Sequence, residues 1–341
     1  MMKKNDKGFT SRVLWMLVRV LVICCIFAVM LHFDMLNFAK VCDMLSSTWF
    51  AVAVFFFLIS VVFSVLRWQL LLEAVDIRPG IMMLTRLTFI GYAFSTIIPG
   101  SISGDMVKVY YIVKSVSNNK TAAAMSIVLD RVLGLFTLLL TAAIAASAVL
   151  VFGIQSFARS GQENDLWSLW CFLAISLLIF LFAFCFSFIK SSKLSKLMNW
   201  VIARIPGGHF IEKLFAALAL FREKKHVIFK AVFVSLLGQI PLILGMYFIG
   251  RAAGEYRLNV VDYFFLAPVS LILNALPLTP GGLGSGEVFA ESLFSIFGST
   301  NGGEILSVFH VAFIVFSLTG FLFYAATRHD CIESVSLNKS C

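Results

Sequence analysis

The sequence predicts an all-α polytopic membrane protein. About six full transmembrane helices are joined by two re-entrant or broken-helix hairpins, set out as inverted repeats. Three observations lead there. The chain is 60% hydrophobic and only 13% charged, with a mean hydropathy of +0.96, whereas a soluble surface needs roughly twice that charge. Apolar stretches of about 20 residues, the length that crosses a ~30 Å hydrocarbon core, recur along the whole chain. Two further apolar stretches are interrupted by Pro and Gly, and the distribution of Lys and Arg decides how they sit.

The continuous stretches lie at 13–33, 46–66, 132–152, 168–189, 228–249 and 305–327. The first follows Lys3, Lys4, Lys7 and Arg12, but no small-x-small cleavage site occurs near Met30 to Phe33, so it reads as an uncleaved anchor. The interrupted stretches are 81–98, running on through a turn to 105, and 260–297. Were both to cross fully, the strongly basic loop after 189 would lie outside, against the positive-inside rule. Letting each enter and leave on one side, 81–105 from the cytoplasm and 260–297 from outside, leaves only Lys40, Arg159, Arg251 and Arg257 of the 27 basic residues outside. Both termini are then cytoplasmic. Segment 190–227, with Leu194, Leu197, Val201, Leu214, Leu218 and Phe221 among its lysines, reads as a basic amphipathic helix on the inner leaflet. The organisation is a single integral membrane domain over 1–330 and a short cytoplasmic tail over 331–341.

The most informative segment is Pro277-Leu278-Thr279-Pro280-Gly281-Gly282-Leu283-Gly284-Ser285-Gly286-Glu287. Non-helical backbone at membrane depth leaves peptide groups unpaired, so it survives only where it lines a cavity or a site. Pro277 and Pro280 fix the turn, Gly281, Gly282 and Gly284 allow close approach, and Glu287 opens a helix whose N-terminus it can cap. Asn274, just before the break, can reach a polar head group. A fainter counterpart, Pro99-Gly100-Ser101-Ile102-Ser103-Gly104-Asp105, places Asp105 at a second helix start with Lys108 one turn on, where a phosphate could be met. Asp130-Arg131 sits among apolar residues at the head of a span, and an ionisable pair there is a functional candidate. Neighbours on a helix point about 100° apart, so Arg131 is expected to be held by Asp105 or Glu287 and not by Asp130. Arg67-Trp68 reads as an anchor at the inner interface, Gln239 with Pro241 as a kink, and His310 as a packed or cavity-facing ring.

Other chemistries find little support. Cys24, Cys25, Cys42, Cys171, Cys185, Cys331 and Cys341 form no CxxC or Cys/His spacing, so free thiols, no metal and no cofactor are expected. The net charge of +9 suits anionic lipid at the inner face and not nucleic acid. No phosphate-loop Gly-Lys-Ser/Thr and no GxGxxG is present, which argues against ATP hydrolysis.

Three motifs in order, Pro99…Gly104-Asp105-x-x-Lys108, Val128-Leu129-Asp130-Arg131-Val132-x-Gly134-Leu135 and Pro277-x-x-Pro280-Gly281-Gly282-Leu283-Gly284-x-x-Glu287, give the chain a resemblance to a known family. Over about residues 10–330 it resembles the flippase-like membrane region of lysylphosphatidylglycerol synthases, found also as stand-alone proteins in glycan gene clusters. Ser103 stands where the family commonly has Gly, and Lys108 where Arg is frequent. The soluble aminoacyl-transferring domain of the fused synthases is not in this sequence, so the resemblance does not imply aminoacyl transfer. It implies movement of an anionic phospholipid or a lipid-linked glycan intermediate between leaflets of the bacterial inner membrane, by alternating exposure of a midplane polar site. The partners expected are those lipids, with envelope-glycan or lipid-modifying enzymes alongside. Two rival readings are a membrane-embedded glycosyltransferase or polymerase, which would want acidic pairs where the loop 34–45 offers only Asp34 and Asp43, and an accessory subunit of a lipid-modifying complex.

Overall fold

The computed structural model describes residues 38–97, 103–116, 119–152, 168, 170–178, 221, 224–275 and 282–337. The expected span 13–33, nearly all of segment 190–227 and the end of the tail lie outside these residues, as do Pro277, Pro280 and Gly281.

The chain is all-helical in its described parts. In order the helices are α1 (Phe38–Ser46), α2 (Thr48–Ala74), α3 (Ile81–Ile97), α4 (Ser103–Ser115), α5 (Lys120–Phe152), α6 (Lys225–Ala252), α7 (Val260–Asn274), α8 (Ser285–Ile296) and α9 (Gly302–Leu337). Residues 170–178 are also helical, inside the expected span 168–189. Among the described residues four helices are long and apolar enough to cross a membrane: Thr48–Ala74, Lys120–Ala148, Lys225–Ala252 and Gly302–Ala325. This is a multi-pass membrane protein.

Local chemistry sets several boundaries. Ser47 caps α2 by accepting from the Trp49 amide at 3.2 Å. At α7 the Asn259 amide donates to Asp262 Oδ2 at 2.7 Å, the return half of a capping box. Pro241 lies inside α6, and Ser60 of α2 donates to the Gly238 carbonyl of the same turn at 3.0 Å.

The α2–α6 pair is the central seam, and its contacts run antiparallel: Phe57 lies against Gly245, Ser60 bonds Gly238, and Arg67 bonds Ser235. Antiparallel to α2, α5 joins at the charged end, where Trp68 Nε1 donates to Ser126 Oγ at 3.1 Å.

Each interrupted stretch carries two short helices, α3 and α4 in the first and α7 and α8 in the second, and most of the residues between them lie outside those described. Helices of 17 and 13 residues in the first, and 15 and 12 in the second, reach only about 18–26 Å at 1.5 Å per residue, short of a full crossing. The arms of the first pack back on one another tightly: a Cβ on Gly104 would collide with the Gly91 carbonyl and Ser95 Oγ. In the second, Tyr263 meets Phe294 edge-on at 5.8 Å, and Asn274 folds over Gly282 and Gly286.

The membrane helices extend beyond the expected ends at their charged tips, α2 to Ala74 instead of 66 and α5 back to Lys120 instead of 132. Polar residues there are paired inside the bundle, so the helix continues past the point where hydropathy falls.

A polar site between the broken helices

Arg67 is not the interface anchor that its sequence context suggests. It is buried, its Nε donates to Asp130 Oδ1 at 2.7 Å, and its Nη1 donates to Ser235 Oγ at 2.7 Å. Ser235 is also 2.7 Å from Thr137 Oγ1, to which Gln239 Nε2 donates at 3.3 Å. Asp130 and Thr137 of α5 and Ser235 and Gln239 of α6 thereby form one hydrogen-bonded lattice with Arg67 of α2, which suits a buried charge that must be both paired and hydrogen-bonded.

Asp130 is consumed by that lattice, and its neighbour Arg131 points elsewhere. Arg131 Nη2 donates to Asp105 Oδ1 at 2.6 Å, one of the two partners anticipated for it. Asp105 is buried in the first turn of α4, while half of the Arg131 side chain stays open at 51% exposure. One edge of a planar donor fork is therefore held and the remainder is free to meet a ligand.

Lys108, one turn along α4, is buried to 7% exposure. Its ammonium lies 5.4 Å from the Trp68 ring and 5.8 Å from the Tyr92 ring, close enough for cation–π attraction. No carboxylate among the described residues lies within ion-pair distance of it. With Arg67 matched by Asp130 and Arg131 by Asp105, Lys108 leaves the cluster one positive charge in excess.

The second hairpin is built differently. Gly282 (φ +77°) and Gly284 (φ +84°) take left-handed conformations that side chains disfavour. Glu287, fully buried, sends Oε2 back to accept from the Gly284 amide at 2.7 Å. Its other oxygen, Oε1, is 2.8 Å from His310 Nδ1 on α9. Glu287 thus meets His310 and not Arg131. Asn274 is half-buried, its Oδ1 packed against Gly282 and Gly286 without a hydrogen-bond partner.

The sequence candidates therefore separate into two groups. Asp105, Lys108, Asp130 and Arg131 converge beside α2 and α3; Asn274, Gly282, Gly284 and Glu287 gather where α7, α8 and α9 meet. Ser235 and Thr137 are additions that sequence reasoning passed over, and Arg67 and His310, read there as an interface anchor and a packed or cavity-facing ring, join the site as well. Two opposite charges inside apolar stretches of different helices, Arg67 and Asp130, were the available signal, because unmatched charges at that depth are rare. A lone His310 in a long span gave no such signal.

A search of curated proteins finds no match to the chain. A family model described as the lysylphosphatidylglycerol synthase TM region matches residues 16–326 and so covers every element above except the end of α9. The chain belongs to the family of the lysylphosphatidylglycerol synthase transmembrane region.

Proposed function

We propose that this protein moves an anionic phospholipid, or a lipid-linked glycan intermediate, between the two leaflets of the bacterial inner membrane. The observation that carries the reading is the unbalanced cation. Two of the three basic groups in the cluster are neutralised by carboxylates, and the third, Lys108, is held in an aromatic frame beside a half-open Arg131. An excess of one positive charge suits the single negative charge of a phosphodiester head group. Arg131 would supply directed hydrogen bonds and Lys108 the compensating charge.

In this reading the two hairpins are re-entrant and enter from opposite faces, with both chain ends in the cytoplasm. Rocking of the halves that bear them would expose the phosphate site to each side in turn while the acyl chains stay in lipid. The protein does no chemistry on its cargo. Membrane lipids are its partners, and enzymes of lipid modification or envelope-glycan synthesis would act on what it delivers.

The test is reconstitution of the purified full chain in liposomes carrying a fluorescent phosphatidylglycerol, with dithionite reporting how much label reaches the outer leaflet. Wild type should expose inner-leaflet label, and Lys108→Ala should slow this by about tenfold or more, as expected for loss of a desolvated charge contact. Equal rates in protein-free and protein-containing vesicles for phosphatidylglycerol and for a polyprenyl-phosphate probe would sink the reading.

A further inference from the structure

Buried polar atoms without partners are scarce in folded proteins, because each costs about 1–3 kcal/mol. Among the described residues most of them lie on α7 and α9. Glu304 Oε2, Ser307 Oγ and His310 Nε2 are all buried and unbonded, at spacings of three residues, so that each neighbours the next while the row winds part of the way around the helix. Across the second hairpin, Ser270 Oγ and Asn274 Oδ1 of α7 are likewise unbonded. Gly286, between these helices, touches both Asn274 and Leu306, so the α7 amide and the α9 face border the same glycine. Ser270, Glu304 and Ser307 are each at least nine-tenths buried.

The file has two distinct ends. At one, Glu304 Oε1 lies 3.6 Å from Lys40 Nζ, and Lys40 is 31% exposed and also bonds Asn301. At the other, His310 Nδ1 meets the fully buried Glu287 carboxylate at 2.8 Å. With Nδ1 committed to Glu287, Nε2 is the ring nitrogen without a partner.

We propose that the His310–Glu287 pair is a proton-binding site, reached from the Lys40 end through Glu304 and Ser307 with intervening water. A proton arriving at His310 Nε2 turns the neutral imidazole into imidazolium while Nδ1–H keeps its bond to Glu287. The pair changes from net −1 to net 0, and no other bond is made or broken. Buried groups of this kind, unsatisfied by protein, are what a short water file satisfies, each water needing two to four polar partners.

The other ionisable groups on packed elements are engaged elsewhere. Glu291 of α8 accepts from the Gly303 amide at 3.0 Å, and Arg251 of α6 bonds the Tyr247 hydroxyl. Asp262 of α7 accepts from the Asn259 amide, and Tyr92 of α3 packs against Phe313. Of the described charged groups, Lys40 and Glu304 remain as the ones leading to the pair. Resting on the lipid reading above, this site would let a proton accompany the anion held at Lys108, so that the loaded protein carries no added charge across the field.

Infrared difference spectra of the reconstituted full chain, recorded across a pH step, test the site directly. Wild type should show an imidazole signal that His310→Asn removes, although Asn keeps a donor for Glu287, and a carboxylate signal that Glu287→Gln removes. Ser307→Ala should slow the appearance of both after a pH jump by about tenfold, as for a break in a hydrogen-bonded path. In the liposome assay the same pH step should change the wild-type lipid rate by about threefold or more and leave the His310→Asn rate flat. Identical imidazole spectra for wild type and His310→Asn would overturn the proton site, whatever the lipid assay shows. A titrating His310 with no lipid movement would uphold the proton site and discard the lipid reading alone.

Discussion

The two broken hairpins have the same outline and opposite electrostatics. At the first, Asp105 is spent on Arg131, whose side chain stays half open, and Lys108 beside it has no ion-pair partner among the described residues. At the second, Glu287 is fully buried, held by a backbone amide and a ring nitrogen, and no basic side chain among the described residues forms an ion pair with it except His310. A helix start after a Gly-rich turn is an anion site only if its own first-turn carboxylate is drawn off by a cation. At α4 it is drawn off, and at α8 it is not. Similar sequences around Gly104-Asp105 and Gly286-Glu287 therefore leave one hairpin with a half-open guanidinium and the other with a closed carboxylate–imidazole pair.

The largest effect is expected from breaking the buried Arg67–Asp130 pair beside the first hairpin. Arg67→Ala or Asp130→Ala strands its partner as a buried charge, which costs about 3–5 kcal/mol. The expected result is loss of folded protein, seen as a collapsed melting transition in detergent and poor recovery from membranes. Replacing both together should restore much of the yield, since the stranded charge is gone. A double variant as damaged as either single one would show that the lattice does more than neutralise.

Next in size is Arg131. Because it is half exposed and bonded at one edge, Arg131→Ala should leave expression near normal and reduce lipid movement by about a hundredfold, with Arg131→Lys intermediate. Parallel loss of expression and transport would make Arg131–Asp105 a structural bridge and erase the difference between the hairpins.

A smaller effect is expected at Gly284. Its φ of +84° is strained for a branched side chain by about 1–3 kcal/mol, so Gly284→Val should lower the melting temperature by a few degrees and displace the Glu287 cap. Gly284→Ala should be milder on both counts. The smallest perturbation is a topology probe: in a background without native thiols, cysteine at Ser115 should resist an impermeant reagent in intact cells, and cysteine at Tyr256, exposed after α6, should react. The reverse pattern would invert the hairpins relative to the membrane.

Much of this architecture was legible. The long apolar runs gave α2, α5, α6 and α9, and Pro and Gly marked both breaks, because backbone geometry is written locally. Arg131 meeting Asp105 was one of two options left open by helical geometry. What could not be read was partnership across distance. Arg67 looked like an interface residue because its partners Asp130 and Ser235 lie 63 and 168 positions away. His310 read as a packed or cavity-facing ring because its partner Glu287 lies 23 positions earlier, on another helix. Apolar periodicity reports which face is buried and is silent on which polar group waits there.

The distances along the chain that hid the Arg67 lattice also govern how it is made. Ribosomes add about 5–20 residues per second, so Arg67 enters the translocation machinery several seconds before Asp130 and longer still before Ser235. Until then α2 carries an uncompensated guanidinium within its last two turns. That charge favours holding the helix at the margin of the insertion site until α5 supplies the carboxylate, making the two helices a joint cargo of the insertion machinery. Nascent chains arrested before Asp130 should then release α2 to lipid less completely than chains arrested after it, and Arg67→Leu should abolish the delay.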